Sequence, residues 1–330
     1  MSASSPVDSG EIEWAASSLR KLALALDRVI VGMASARKEL VACLLTGGHV
    51  LLEGVPGVAK TALARSMAGL LGLGFGRIQF TPDLLPGDLT GTVFFDLAEK
   101  RFIRQKGPLF THVLLADEIN RAPAKVQSAL LEAMEEGQVT VGAETLRLPD
   151  PFWVLATQNP IELDGTFPLP EAQQDRFMAK VAVSYPGLEE EREIVRRGPA
   201  RLVSAPLEPV LTAADLSRLR GIAARIHGSE PVRNYAVDLV RATRKGGPGA
   251  AAAVAGKLRM GAGPRGALAL VAFSRGLALQ AGRDHVRPED IQAAAGPVLG
   301  HRLVLEYQAI ASGVTREGLV ERLLDLVPVP

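Results

Sequence analysis

One cysteine in 330 residues, Cys43, rules out a disulfide framework and any zinc site built on thiolates. It lies in the apolar run Leu40 to Leu45, where a core filler is expected. Nowhere do about 18 apolar residues follow one another, which removes a membrane-spanning helix. The N-terminus is Ser-rich and acidic, without the basic-then-apolar order of a secretory signal, so a cytoplasmic protein is expected. Net charge is also missing: 37 Lys and Arg against 36 Asp and Glu leave +1, too little for bulk nucleic-acid binding, although a local basic loop stays open. With 47% hydrophobic and 22% charged residues the chain reads as globular, and its length gives room for one large or two ordinary domains.

What is present begins at Leu51 to Thr61, Leu-Leu-Glu-Gly-Val-Pro-Gly-Val-Ala-Lys-Thr. A short apolar strand, His49 to Leu52, runs into a loop holding Gly54, Pro56, Gly57, Val58 and Ala59. A helical pattern then follows at Leu63, Met67, Leu70 and Leu71. Strand, glycine-punctuated loop and helix make a phosphate cradle: backbone N–H groups turn inward and the helix N-terminus adds positive dipole. Lys60 reaches outer phosphates, and the Thr61 hydroxyl suits magnesium. The expected ligand is a nucleoside triphosphate. Ala59 stands where the G-x-x-x-x-G-K-[ST] pattern has its second glycine, a change that costs little at negative φ and strains the loop at positive φ. Taken alone, the same residues also fit an ordinary glycine-rich turn, so the partners downstream decide.

Upstream, two helical patterns fill Glu11 to Leu45 and break near Val29 to Gly32. Ile30, Val31 and Gly32 can line an adenine base, or form a plain interhelical turn. Downstream, Phe75 to Phe80 reads as a strand, and residues 81–107 as an insertion bearing a β-hairpin through Phe94, Phe95, Phe102 and Ile103. Its Arg101, Arg104 and Lys106 suit either a partner or a solvated face. His112 to Asp117 is a buried strand ending in Asp117-Glu118, 57 residues after Lys60 (117 − 60), a gap that holds the crossover a parallel neighbour strand needs. Asp117 there can hold magnesium through water, and Glu118 can polarise the water that attacks the γ-phosphate; two solvated carboxylates are the plainer alternative. An amphipathic helix follows over Ala122 to Glu136, then a hairpin around Gly142 within 138–150, then the strand Trp153 to Thr157. That strand delivers Asn159, whose amide can bond a water or a phosphate oxygen, or simply shape an Asn-Pro turn.

Arg176, in the helical turn Glu171 to Phe177, has Ala172 at i−4 and Asp175 beside rather than facing it. Lacking a local ion pair, it suits charge on a phosphate held by a neighbouring subunit. After the strand Val181 to Ser184 and Tyr185-Pro186-Gly187, no strand pattern returns: a charged helix, Glu189 to Arg197, and a proline-marked linker, Arg201 to Pro209, lead into about four helical patterns. A low-complexity loop begins at Lys245. Arg265 opens one of those helices, where the dipole disfavours a cation, which suggests an anion nearby and the bound nucleotide as candidate.

Five segments in order carry a resemblance. They are Gly-Val-Pro-Gly-Val-Ala-Lys-Thr, Leu-Ala-Asp-Glu-Ile-Asn-Arg-Ala-Pro, Ala-Thr-Gln-Asn-Pro, Phe-Pro-Leu-Pro-Glu-Ala-Gln-Gln-Asp-Arg-Phe and Gly-Pro-Arg-Gly-Ala. Across nearly its whole length the chain resembles the MoxR family of AAA+ ATPases, in which an alanine before the loop lysine is familiar. Met33 and Gln174 depart from the family pattern, where Gln and Leu are usual. The resemblance implies a three-layer αβα P-loop core with a five-stranded parallel sheet over residues 1–204, and an all-helical lid over 205–330, with ATP between them. It implies Lys60 and Thr61 as the Walker A pair and Asp117 and Glu118 as the Walker B pair. It also implies Asn159 as sensor 1, Arg176 as arginine finger and Arg265 as sensor 2. Residues 81–107 match the helix-2 insert and 138–150 the hairpin before sensor 1, elements that face the pore or substrate in related rings. The implied protein is an ATP- and Mg²⁺-dependent, chaperone-like remodeller, a hexameric ring that works with von Willebrand factor A domain proteins. A nucleotide-gated switch with negligible turnover is the alternative, and a DNA-directed AAA+ protein is disfavoured by the charge.

Overall fold

A computed structural model describes residues 7–54, 57–158, 167–198, 207–244 and 254–330. Two helices come first, α1 (Ser9–Val29) and α2 (Ala34–Thr46). Five strands follow in a single parallel sheet: β1 (Val50–Gly54), β2 (Phe75–Gln79), β5 (Val113–Asp117), β8 (Trp153–Gln158) and β9 (Ala179–Val183), ordered β2-β5-β8-β1-β9. Val113 to Ala116 and Trp153 to Ala156 are fully buried because helices cover both faces, as a parallel sheet requires. The crossovers α3 (Lys60–Leu70) and α5 (Ala124–Glu136) carry the chain back from the sheet's C-terminal edge to its N-terminal edge. Two antiparallel hairpins stand outside the sheet: β3–β4 (Gly91–Asp96, Arg101–Lys106) and β6–β7 (Gln138–Val141, Glu144–Arg147). A short helix, α4 (Pro86–Thr90), precedes the first of them. The expected αβα core is present, and Cys43 is buried in it.

The lid comprises the helices Ala213–Arg225, Glu230–Ala242, Pro264–Gln280, Pro288–Leu299, Tyr307–Ala311 and Arg316–Leu326. It also contains a small antiparallel ladder, Leu258–Met260 with Val304–Leu305, which corrects the expectation that no strand follows Gly187; three and two residues are too few to show an alternating pattern. Pro264–Gln280 lies so close on α2 that a Cβ on Gly276 would stand 2.7 Å from the Ala42 carbonyl oxygen. Buried apolar residues run without a break from α1 and α2 through this helix and the rest of the lid. The division at 204/205 falls on residues outside those described.

Arg302, buried in the lid, fixes the approach to β9. It donates from Nε to Asp175 Oδ1 (2.7 Å) and from Nη2 to the Phe177 carbonyl (2.7 Å), so Arg176 sits in a segment clamped by the lid. At the same edge His49 is held as one neutral tautomer: Nε2 donates to the Met134 carbonyl (3.1 Å) and Nδ1 accepts from the Val154 N–H (3.0 Å). Burial lowers its pKa to about 4. Because the folded value lies below the ordinary histidine value of about 6.5, the stabilisation is complete above that pH. It falls as pH drops from there toward 4, the unfolded chain taking up the proton first. His301 shifts in the same direction, chiefly by burial and then by the charge of Arg302. Urea unfolding at pH 7.5, 6 and 5 should therefore show stability falling below pH 6.5 by about 1.4 kcal/mol per pH unit for each histidine. His49→Gln should flatten that slope.

Candidate functional site

The phosphate loop leaves β1 at Gly54 and enters α3 at Lys60. Gly57 has φ +85° and open space where a Cβ would stand, the geometry of a backbone cradle. Ala59 caps α3 with φ 57° and ψ 24°, so the strained alternative for this alanine is realised, at a cost of about 1 kcal/mol. Val58 is buried and anchors the loop to the core. Lys60 Nζ donates to the Gly54 carbonyl (2.6 Å). Burial lowers the Lys60 pKa, opposed by the negative charges of Asp117 and Glu118, so the lysine shares one electrostatic environment with both carboxylates. Thr61 follows it in the first turn of α3. Pro56 and Asn159 lie outside the described residues.

Thr157, at the end of β8, joins the two acidic residues. Its Oγ1 donates to Asp117 Oδ1 (2.6 Å) and accepts from the Glu118 N–H (2.8 Å). Asp117 Oδ2 also accepts from Arg77 Nη2 (2.6 Å), and Glu118 Oε2 accepts from Gln79 Nε2 (2.7 Å) and pairs with Arg121 Nε (3.0 Å). Glu118 itself has φ 57° and ψ 51°, a left-handed backbone at the head of a 3₁₀ turn. Arg77 and Gln79 carry no motif of their own, and Thr157, though inside the Ala-Thr-Gln-Asn-Pro segment, has no role that the sequence assigns. The register Arg77↔Leu115, Gln79↔Asp117, read from strand pairing, is the signal that reaches the first two. Thr157→Val removes the hydroxyl bridging both acids; a loss of about 1–3 kcal/mol in unfolding free energy is expected, checked by denaturant titration.

Gly32, which follows Val31, lies against the helix Leu188–Arg197 that comes after β9: a Cβ on Gly32 would stand 2.8 Å from the Glu190 carboxyl carbon. Since β9 ends at Val183 beside Gly54, this turn is on the phosphate-loop edge of the sheet, where a base could be lined. Ile30 is buried in the core.

Arg176 and Arg265 are brought together, but at the opposite edge. Arg265 Nη2 lies 2.5 Å from Glu135 Oε1 and Arg176 Nη2 lies 3.2 Å from Glu135 Oε2. All three line a cavity of about 360 Å³ with Gly48 and His49, the residues that lead into β1. The phosphate loop leaves the other end of that five-residue strand, about 16 Å away. Arg176 therefore does have a carboxylate partner, near its own segment in space and 41 positions from it in the chain (176 − 135). The anion facing Arg265 is Glu135, at the sheet edge opposite its own chain's loop. Glu135 is invisible to local spacing because its partners come from two later segments.

Comparison with known proteins matches a family model described as the ATPase family associated with various cellular activities (AAA) over residues 49–179, and an AAA lid domain model over 250–323. Chaperone MoxR1 of Mycobacterium tuberculosis is 46% identical over 312 residues, spanning 94% of this chain and 82% of that one. Protein MoxR of Paracoccus denitrificans is 35% identical over 346 residues, 98% and 99% of the two chains. A crystal structure of a protein from Cytophaga hutchinsonii, assigned as an ATPase, superposes with a TM-score of 0.91 at 40% identity and covers 97% of both chains.

Proposed function

The chain belongs to the MoxR family of AAA+ ATPases, and from that premise we propose that it hydrolyses ATP in a ring of identical subunits, hexameric in this reading, to remodel protein partners. The observation that carries the proposal is the convergence of Arg176 and Arg265 on Glu135 at the sheet edge opposite the phosphate loop. A site that needs these cations must be completed by another copy of the chain.

In that assembly Gly54, Gly57, Val58 and Ala59 would wrap the phosphates, with Lys60 on the outer ones and Val31 and Gly32 beside the base. Among the described residues no three His, Cys, Asp or Glu side chains gather as a metal cluster. Mg²⁺ would accordingly rest on Thr61, Asp117 and phosphate oxygens, a hard-oxygen set suited to it, and would offset phosphate charge when bound. Glu118 would take a proton from water as the water oxygen bonds to the γ-phosphorus and the bridging bond to ADP breaks. To act so, Glu118 must loosen from Gln79 or Arg121. That restraint also favours the second reading, a nucleotide-gated switch with negligible turnover. Asn159, by resemblance, would orient the water or the γ-phosphate.

The two hairpins are the natural contact with a client. Phe94, Phe95 and Phe102 are exposed on β3–β4, Phe95 and Phe102 packing edge to face, and Arg104 pairs with Glu144 to tie that hairpin to β6–β7. We assign von Willebrand factor A domain proteins as the partner class by family resemblance, and the cytoplasm as the location. No helix among the described residues is long and apolar enough to cross a membrane. The test is ATPase rate per subunit against protein concentration, measured beside light scattering. Specific activity that climbs as a ring forms supports the shared-site motor; flat, near-zero turnover with intact ATP binding selects the switch.

A further inference from the structure

Behind the lid, a cavity of about 220 Å³ opens between the C-terminal end of α2, the helix Ala213–Arg225 and the helix Pro264–Gln280. Its walls include Thr46, Gly47, Arg220, Ala224, Ala272 and Arg275, and among the described residues no carboxylate lines it. Arg220 spends its Nε on the Leu44 carbonyl (2.9 Å), capping the last turn of α2. That contact uses the negative end of the helix and leaves Arg220 Nη2 buried without a hydrogen-bond partner among the described residues. Arg275 lines the same cavity, and its Nε is likewise buried without a hydrogen-bond partner among the described residues. Arg233 adds a third positive charge beside Arg275, while Asp150 gives Arg220 some favourable charge at range. Burial lowers the pKa of both lining arginines, the mark of charged groups short of solvent and of compensation.

Guanidinium N–H groups are rigid forks that match the oxygens of phosphate and carboxylate, and buried donors without acceptors are costly. We propose that this cavity is a binding site for a small oxyanion, a phosphate or carboxylate group on a free small molecule, separate from the nucleotide site. Gly47 and the alanines leave the room that the ligand fills, and the guanidinium groups of Arg220 and Arg275, which line it, supply the donors. The cavity shares Gly47 and Ala272 with the Arg176–Arg265 cavity, so an occupant would sit against the edge proposed to meet the next subunit. The site does not depend on that assembly or on ATP turnover.

The test is calorimetric titration of inorganic phosphate and of succinate into the full chain carrying Lys60→Ala, Arg176→Ala and Arg265→Ala, which removes the cations of the phosphate loop and of the neighbouring cavity. Saturable binding of either anion is expected, and the tighter of the two identifies the headgroup. Adding Arg275→Met should weaken that binding about tenfold or more. Adding Ala224→Glu, which places a carboxylate at the cavity wall, should abolish it. The proposal is overturned if neither anion binds the triple variant, if Arg275→Met binds as before, or if Ala224→Glu leaves binding intact.

Discussion

Arg176→Ala is expected to lower ATP turnover of the assembled protein by about three to five orders of magnitude, the range known for arginine fingers supplied by a neighbour. The reason lies in where the residue sits. Arg176 is one strand length from its own phosphate loop and is clamped there by the bonds of Arg302 to Asp175 and Phe177, so it cannot swing to its own nucleotide. In the free subunit Glu135 partly neutralises it together with Arg265. That ion pair is half exposed and worth little, about 0–1 kcal/mol, so a neighbour's triphosphate can displace it. Light scattering should show the variant still assembling, with ATP affinity per subunit near normal; single-turnover ATPase should show the chemical step slowed. Mixing the variant with a Lys60→Ala chain gives the sharper check. If the arginine acts on the next subunit, mixed rings recover activity at the interfaces where an intact arginine meets an intact loop. If it acts within one chain, mixing recovers nothing.

Glu118→Gln is expected to slow hydrolysis by about two to four orders of magnitude, the usual contribution of a positioned general base, while ATP binding persists. Glutamine has the same shape, and its amide oxygen can still accept from Gln79 Nε2, so the left-handed turn at this residue and the Thr157 bridge to Asp117 should survive. What is lost is the capacity to take a proton. Filter binding with labelled ATP beside a phosphate-release assay separates the two effects: retained ATP with little phosphate supports the base, whereas unchanged release would remove Glu118 from the chemistry.

Much of this was legible in one dimension because the relevant physics is local. The glycines, Lys60 and Thr61 lie within one turn of each other in the chain, and Asp117-Glu118 mark the end of an apolar run that only a buried parallel strand explains. Helix and strand periods placed α1, α2, α5 and all five sheet strands to within a few residues. The short ladder of the lid escaped because it has too few residues to show a period.

The glycine-punctuated loop with Lys60 and Thr61, the acidic pair, the αβα order and the family could be read along the chain, since each rests on residue types at short, fixed spacings. Packing in three dimensions was needed to learn that Thr157 binds the two carboxylates into one unit, that Ala59 takes positive φ, and that Glu135 gathers Arg176 and Arg265. It alone decided, too, that those arginines face away from their own loop. Such facts depend on which end of a strand a residue reaches after the chain has crossed the sheet, and charges distant in sequence meet only when packing of the lid on α2 brings their helices together.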